Sequence, residues 1–396
     1  MIGAEVETGQ AILAWLRARQ EAFADLLLEL ASLESPSREP ESQAPLLDLL
    51  AAHLTDLGYR STREPGERSG GHLVARPAGA AESAPRQLLL GHCDTVWPRG
   101  SLREMPLRRE GARLFGPGTY DMKAGLAQAI LALRALRALG LEPTLAPVLL
   151  VNSDEEIGSR ESTPAIRRLA RGADRVLVLE PSLGPEGRLK TSRKGVGRFE
   201  FRVHGRAAHA GLNPEEGISA VRGLAEVVTD LFALNRPELG ISVNVGQIDG
   251  GLGANVVAPE AGAVVDVRVP TLEAARQVEA SLRAIAPRTA GLRIELSGGF
   301  GRPPLERDAR VVALWDRARQ LAGGIGIRLE EGSAGGGSDG NTTARLAPTL
   351  DGLGPVGAGA HARHEQVDLP RSLERAALLA LLLLEPPRVL GLAEAM

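Results

Sequence analysis

The chain has 396 residues, 43% hydrophobic and 24% charged, with a formal net charge of −3. That is ordinary globular composition with length for two domains, and it lacks the basic footprint of a nucleic-acid binder or the polybasic patch of a membrane-surface protein. A single cysteine excludes an internal disulfide, the N-terminus is acidic where a signal peptide would be basic, and the longest apolar run, 376–384, is far short of the ~20 residues that span a bilayer; the chain reads as cytoplasmic.

Residues 10–33 place Ile12, Leu13, Leu16, Phe23, Leu26, Leu27 and Leu30 at helical spacing, which predicts one long first helix. A second helix is expected over 44–57, ending at Gly58. The run Leu88-Leu89-Leu90-Gly91-His92-Cys93-Asp94 then reads as a buried strand of a parallel sheet. Side chains alternate along a strand, so His92 and Asp94 share one face and Cys93 takes the other, as a small buried residue. Residues 97–118, rich in Pro, Gly and Arg, read as loop. Gly116-Pro117-Gly118 delivers Asp121 just before a helix running to about Leu139. Apolar strands are expected over 146–153 and 175–179; the first runs into Asp154-Glu155-Glu156, the second into Glu180.

From about Arg193 the pattern changes: strands at 196–203, 242–248, 262–269 and 293–296, with helices at 213–234 and 271–286. That order, β-α-β-β-α-β, is the ferredoxin-like split unit. It interrupts a doubly wound α/β domain, giving expected domains 1–192, 193–304 and 305–396, the last continuing the first. In the last segment a helix to Leu321, a strand at 327–330, the Gly-rich loop 332–340, a strand-like stretch 355–361 and a final helix are expected. The glycines of that loop suit a backbone passing close to a ligand.

Taken singly, these features are ordinary. His92 can end a strand in a plain loop, Asp121 can cap its helix, and the three acids after residue 153 can be a solvated cap. Together they put His92, Asp121, Glu155, Glu156 and Glu180, with His361 from Gly-Ala-Gly-Ala-His, at strand ends and one helix start. In open α/β sheets that edge is where ligands bind. Two imidazoles and several carboxylates without thiolates suit a pair of divalent ions, Zn²⁺ with Mn²⁺ or Co²⁺ as substitutes, about 3.5–4 Å apart across a shared carboxylate. Of two adjacent glutamates, one can face the metals while the other takes a proton from water. The chemistry indicated is amide hydrolysis.

Gly-His-Cys-Asp-Thr-Val, Gly-Pro-Gly-Thr-Tyr-Asp-Met-Lys-Ala-Gly, Asp-Glu-Glu-Ile-Gly-Ser and Gly-Arg-Ala-Ala-His-Ala-Gly, in this order over nearly the whole chain, resemble the co-catalytic di-zinc peptidases and deacylases. That family includes glutamate carboxypeptidase, acetylornithine deacetylase, succinyl-diaminopimelate desuccinylase and aminoacylase. The resemblance implies that Asp121 bridges two metals, that His92 and Glu180 complete one site, and that Glu156 and His361 complete the other. It implies Glu155 as general base, Asp94 as the partner orienting His92, and a non-proline cis peptide at Asp121–Met122. Both His361 and His364 can ligate; the family's spacing to a following glutamate, here Glu365, favours His361. The inserted unit is then a dimerisation domain, the protein a homodimer, and His209 the histidine that reaches a partner's site to stabilise an oxyanion. Asn255, Arg268 and Arg302 resemble substrate-pocket positions, where a guanidinium would pair with a free carboxylate. Gly336 and Gly337 would meet substrate through their backbone. Glu180, where the dipeptidase branch has Asp, points to a carboxypeptidase releasing a C-terminal residue such as glutamate. An N-acyl amino acid deacylase and a non-catalytic binding relative are the alternatives.

Overall fold

The computed structural model describes residues 2–81 and 83–387; Met1, Glu82 and 388–396, which fall in the expected catalytic domain, lie outside the described residues. The chain forms two compact units. The first comprises Met1–Thr191, Arg307–Ser333 and Ser338–Met396, and the second Ser192–Glu306 with Ala334–Gly337.

The first unit is built on a six-stranded sheet in the order Tyr59–Glu64, His72–Pro77, Ala146–Asn152, Arg86–His92, Ala173–Val178, Thr349–Leu350. The last four strands run parallel to one another; His72–Pro77 joins them antiparallel, so the sheet is mixed. Strand Arg86–His92 lies in the middle, and period-two alternation sorts its side chains between two layers. Leu88 and Leu90 pack with Val148, Val176 and helix Thr163–Ala170 on one face. Leu89 and Cys93 face a larger layer that includes helices Ile2–Arg17, Gln20–Ser32, Ala124–Ala138 and Leu369–Leu384. Burial on both faces is why these strands read as continuous apolar runs. Cys93 is an inert core residue, and burial pushes its thiol up to about 12. No helix among the described residues is long and apolar enough to cross a membrane.

Close approach of helix to sheet depends on Gly125. A Cβ added there would lie 2.1 Å from the carbonyl oxygen of Leu179, the residue before Glu180. In an exposed helix Gly→Ala gains about 1 kcal/mol. Here Gly125→Ala is expected to reverse that sign and cost about 1–3 kcal/mol, because backbone must move to admit the methyl. A urea melt checks it; a more stable variant would mean the helix is free to shift.

The second unit has an antiparallel sheet in the order Ser242–Gly250, Glu260–Val269, Gly195–His204, Arg293–Arg302. Numbered by chain, these are strands two, three, one, four, which is the ferredoxin-like arrangement. Helices Ala220–Phe232 and Leu272–Arg283, capped by the side chains of Ser219 and Thr271, bury Leu224, Val227, Val278 and Leu282 with Phe199, Phe201, Val203, Val265 and Val267 of the sheet.

Some expectations do not hold locally. The first long helix is two, Ile2–Arg17 and Gln20–Ser32, broken at Ala18 and Arg19. Apolar periodicity runs through the break because both helices bury into one cluster. The stretch 327–330 is not a strand; the strand begins at Glu331. Within the expected loop 97–118 lie a short helix, Ser101–Glu104, and two strands, Arg108–Glu110 and Arg113–Phe115. These strands join Gly357–Ala358 and Gln366–Asp368 in a small separate sheet.

Candidate metal centre

Three parallel strands bring their carboxyl ends to one edge of the large sheet. His92 ends one strand, Glu180 follows Val178 by two residues, and Asn152 leads into the turn Glu155–Ile157. Asp121 enters from the wide turn Thr119–Lys123, where it has non-helical φ −114° and ψ 97°. The peptide Asp121–Met122 is cis. Asp121 is not a helix cap, since Lys123 precedes Ala124–Ala138 and makes no side-chain capping bond.

The side chains meet in two groups that share Asp121: His92, Asp121 and Glu180; and Asp121, Glu156 and His361. Donor atoms in each lie within 4.8 Å of one another. His92 Nε2 is 3.4 Å from Asp121 Oδ1 and 3.4 Å from Glu180 Oε1. His361 Nε2 is 3.4 Å from Asp121 Oδ2 and 3.1 Å from Glu156 Oε2. Each carboxylate oxygen of Asp121 therefore belongs to one group. His364 is in neither.

Asp94, fully buried, organises the edge. Its Oδ1 lies 3.3 Å from His92 Nδ1, and its carbonyl oxygen 3.0 Å from the same nitrogen. The same carboxylate accepts the backbone N–H of Glu155 on Oδ1 and of Glu156 on Oδ2, each at 3.2 Å. One side chain thus orients the imidazole and fixes the backbone under both glutamates. Asp154, the first of the three acids, caps locally: Oδ2 accepts from the N–H groups of Glu161 and Ser162, and Oδ1 from Ser162 Oγ. Ser159, at φ 52°, donates to Asp339 Oδ1, while Asn152 Nδ2 donates to Asp339 Oδ2 at 2.6 Å. The loop carrying Glu155 and Glu156 is therefore held at both ends.

The electrostatics match a cation site. Burial opposes a charged His92, but the carboxylates of Asp121, Asp94 and Glu180 outweigh it and hold the imidazole well above its usual value. Hydrogen bonding to Asp121 and Glu156 raises His361 to about 10. Burial opposes ionisation of Asp121, and His361 and His92 overcome it, keeping the carboxyl well below the carboxylate range. Burial raises Glu156 despite His361. The donor set passes a further test of fit: His92 Nε2 and Asp121 Oδ1 are buried and have no hydrogen-bond partner. Buried polar atoms left this way are rare. Two imidazoles and three carboxylates, split over a shared Asp, suit two divalent cations.

The remaining predicted residues lie in the second unit. His209 is exposed; its Nδ1 accepts from Gly211 N–H, and its loop pairs with that of Asn255, whose carbonyl accepts from Ala210 N–H. Arg268 forms a bidentate pair with Asp266 at 2.7 and 2.9 Å. Arg302 ends its strand beside a register shift at 300/302. The carbonyls of Gly336 and Gly337 accept from the buried Arg193 guanidinium. A Cβ at Gly336 would meet nothing within 4 Å, so packing inside the protein does not demand glycine there. Sequence reasoning missed Lys190, whose buried ammonium is 3.9 Å from Glu180 Oε2; nothing sets it apart from other Lys in the sequence.

A family model described as peptidase family M20/M25/M40 matches residues 88–385, which span every donor above. The chain belongs to this family. It is a metallohydrolase, as the family's peptidases and hydrolases are. It is 28% identical over 376 residues to carboxypeptidase G2 of Pseudomonas sp. (strain RS-16), covering 91% of this chain and 89% of that one. It is 32% identical over 367 residues to succinyl-diaminopimelate desuccinylase of Paracidovorax citrulli, covering 86% and 92%. Among solved structures it shares its fold with aminopeptidase PepT of Bacillus cereus, at a TM-score of 0.77 and 22% identity over 92% of this chain and 98% of that one. The M20 metallo-carboxypeptidase Sso-CP2 of Sulfolobus solfataricus matches at a TM-score of 0.69 and 17% identity, covering 91% and 98%.

Proposed function

We propose that the protein is a zinc carboxypeptidase that releases a C-terminal amino acid such as glutamate from peptides or N-acyl amino acids. The observation that carries the metal chemistry is the pair of donor groups meeting at Asp121, with the orphaned His92 Nε2 and Asp121 Oδ1 at their centre. His92 and Glu180 would hold one ion and Glu156 and His361 the other, with Asp121 shared; Mn²⁺ and Co²⁺ suit the same donors. Such ions, when bound, supply Lewis acidity that polarises the scissile carbonyl and acidifies a water toward neutral pH. Glu155, whose backbone is pinned by Asp94, takes the water's proton and returns it to the leaving amine. Asp94 keeps the His92 ring oriented. His209 stabilises the oxyanion, acting in trans in a homodimer formed through the second unit. Arg302, Arg268, Asn255 and the backbone of Gly336 and Gly337 hold the substrate, a guanidinium taking its free carboxylate. For Arg268 this requires exchanging the Asp266 pair for the substrate.

The similarity to carboxypeptidase G2 across 91% of the chain supports this reading. The slightly higher identity to the desuccinylase favours a second one, an N-acyl amino acid deacylase using the same centre. Purified protein with Zn²⁺, assayed on N-acyl-glutamate, folate-like, acetylornithine and peptide substrates, should release the amino acid from at least one class and lose that activity on chelation. If the whole panel stays intact, the carboxypeptidase and deacylase readings both fail. A monomeric mass by light scattering would remove the dimer and the trans role of His209.

A further inference from the structure

Outside the donor groups, one buried carboxylate gathers an unusual set of bonds. Glu365 is 2% exposed. Its Oε1 accepts from the backbone N–H of Tyr120 at 2.9 Å and of Asp121 at 3.0 Å. Its Oε2 accepts from Gly118 N–H at 2.9 Å and from Trp97 Nε1 at 2.8 Å. Its carbonyl oxygen accepts from Gly116 N–H at 3.1 Å. The whole approach to Asp121, from 116 to 121, is thus gripped by one residue far away in sequence. Backbone N–H groups converging on a carboxylate are strong, charge-assisted bonds.

Glu365 also closes the turn that presents His361. Its N–H donates to Ala362 O at 3.0 Å, and Ala362 N–H donates to Gly359 O at 2.8 Å. His361 sits at φ 59°, the left-handed region that non-glycine residues rarely occupy and that surrounding structure must impose. Gly357–Ala358 pairs with Gln366–Asp368, and the latter pairs with Arg113–Phe115 at the start of the Asp121 loop. The stretches carrying Asp121 and His361 therefore meet at Glu365. His92 and Glu180 are delivered separately, by parallel strands.

We propose that Glu365 is a positioning residue whose side chain fixes the Asp121 loop against the turn of His361, and so tunes both donor groups through the Asp121 they share. The inference rests on the two-metal reading above. Glu365→Gln keeps the shape but leaves one oxygen for four donors and turns an amide NH₂ toward two of them. Two of the four bonds that hold the approach to Asp121 are therefore lost, while the backbone bonds that close the His361 turn remain.

The test is Co²⁺ titration of the full chain, by calorimetry with chelator competition and by visible absorption, alongside melting of the metal-free protein. Wild type should bind two ions. Glu365→Gln should weaken both sites, by about 10–100-fold, the range for partners that orient ligands. Trp97→Phe removes a single bond and should weaken both sites less; it carries the test if Glu365→Gln fails to fold. Unchanged affinity at both sites, weakening confined to one, or a metal-free melting temperature lowered enough to account for the loss, overturns the proposal. A wild-type chain that binds one ion overturns the two-metal reading first, and this inference with it.

Discussion

Glu155→Gln is expected to lower kcat by about 10²–10⁴-fold, the usual contribution of a positioned general base, with metal content and melting temperature unchanged. The amide has the shape of the carboxylate and cannot accept a proton at working pH. The structural reason for expecting so clean a result is Asp94. It bonds the N–H groups of Glu155 and Glu156 rather than the Glu155 side chain, so replacing that side chain leaves the backbone under both glutamates in place. Glu155 is absent from both donor groups, whereas Glu156 reaches His361 at 3.1 Å. Kinetics at saturating substrate, metal analysis and a thermal melt on the same preparation decide the matter. If metal is lost along with kcat, Glu155 is a ligand and the base lies elsewhere.

The candidate centre was legible because its parts sit where local pattern is strongest. Apolar runs ending on His92, on Glu155 and Glu156, and on Glu180 announce buried parallel strands, and their order in the sheet carries the three ends to one edge. Period-two alternation alone separates His92 from Cys93, and the core contacts of Cys93 agree. What connects the parts was not legible. Asp94 reads as a partner for His92, but its bonds to Glu155 and Glu156 cross 61 and 62 residues, a separation no local pattern encodes. Glu365 reads as a spacing mark after His361, yet it holds Asp121 across 244 residues. The strands Arg108–Glu110 and Arg113–Phe115 escaped because they are three residues each, partly exposed, and set among prolines, glycines and arginines that signal loop. Their pairing is decided by the distant Gln366–Asp368.

Removing metal should destabilise the first unit, and Asp121→Ala should abolish that dependence. A ligand that binds only the folded state stabilises it by RT ln(1 + [L]/Kd), about 2.7 kcal/mol per site at a hundredfold excess over Kd. All five donors lie in the first unit. The effect should therefore appear as a shift of one unfolding transition. Asp121 contributes one carboxylate oxygen to each group, so its loss damages both sites, whereas loss of His92 or His361 damages one. Calorimetric melts of wild type with saturating Zn²⁺ and with chelator should differ by several degrees in that transition. Asp121→Ala should give the same trace under both conditions, and His361→Ala an intermediate shift. A wild-type trace indifferent to chelator would mean that the donors are equally well satisfied without an ion. His92 Nε2 and Asp121 Oδ1 argue against that: they face each other at 3.4 Å, too far for a good hydrogen bond, and buried polar atoms that lack one cost about 1–3 kcal/mol each, a cost that a bound cation relieves.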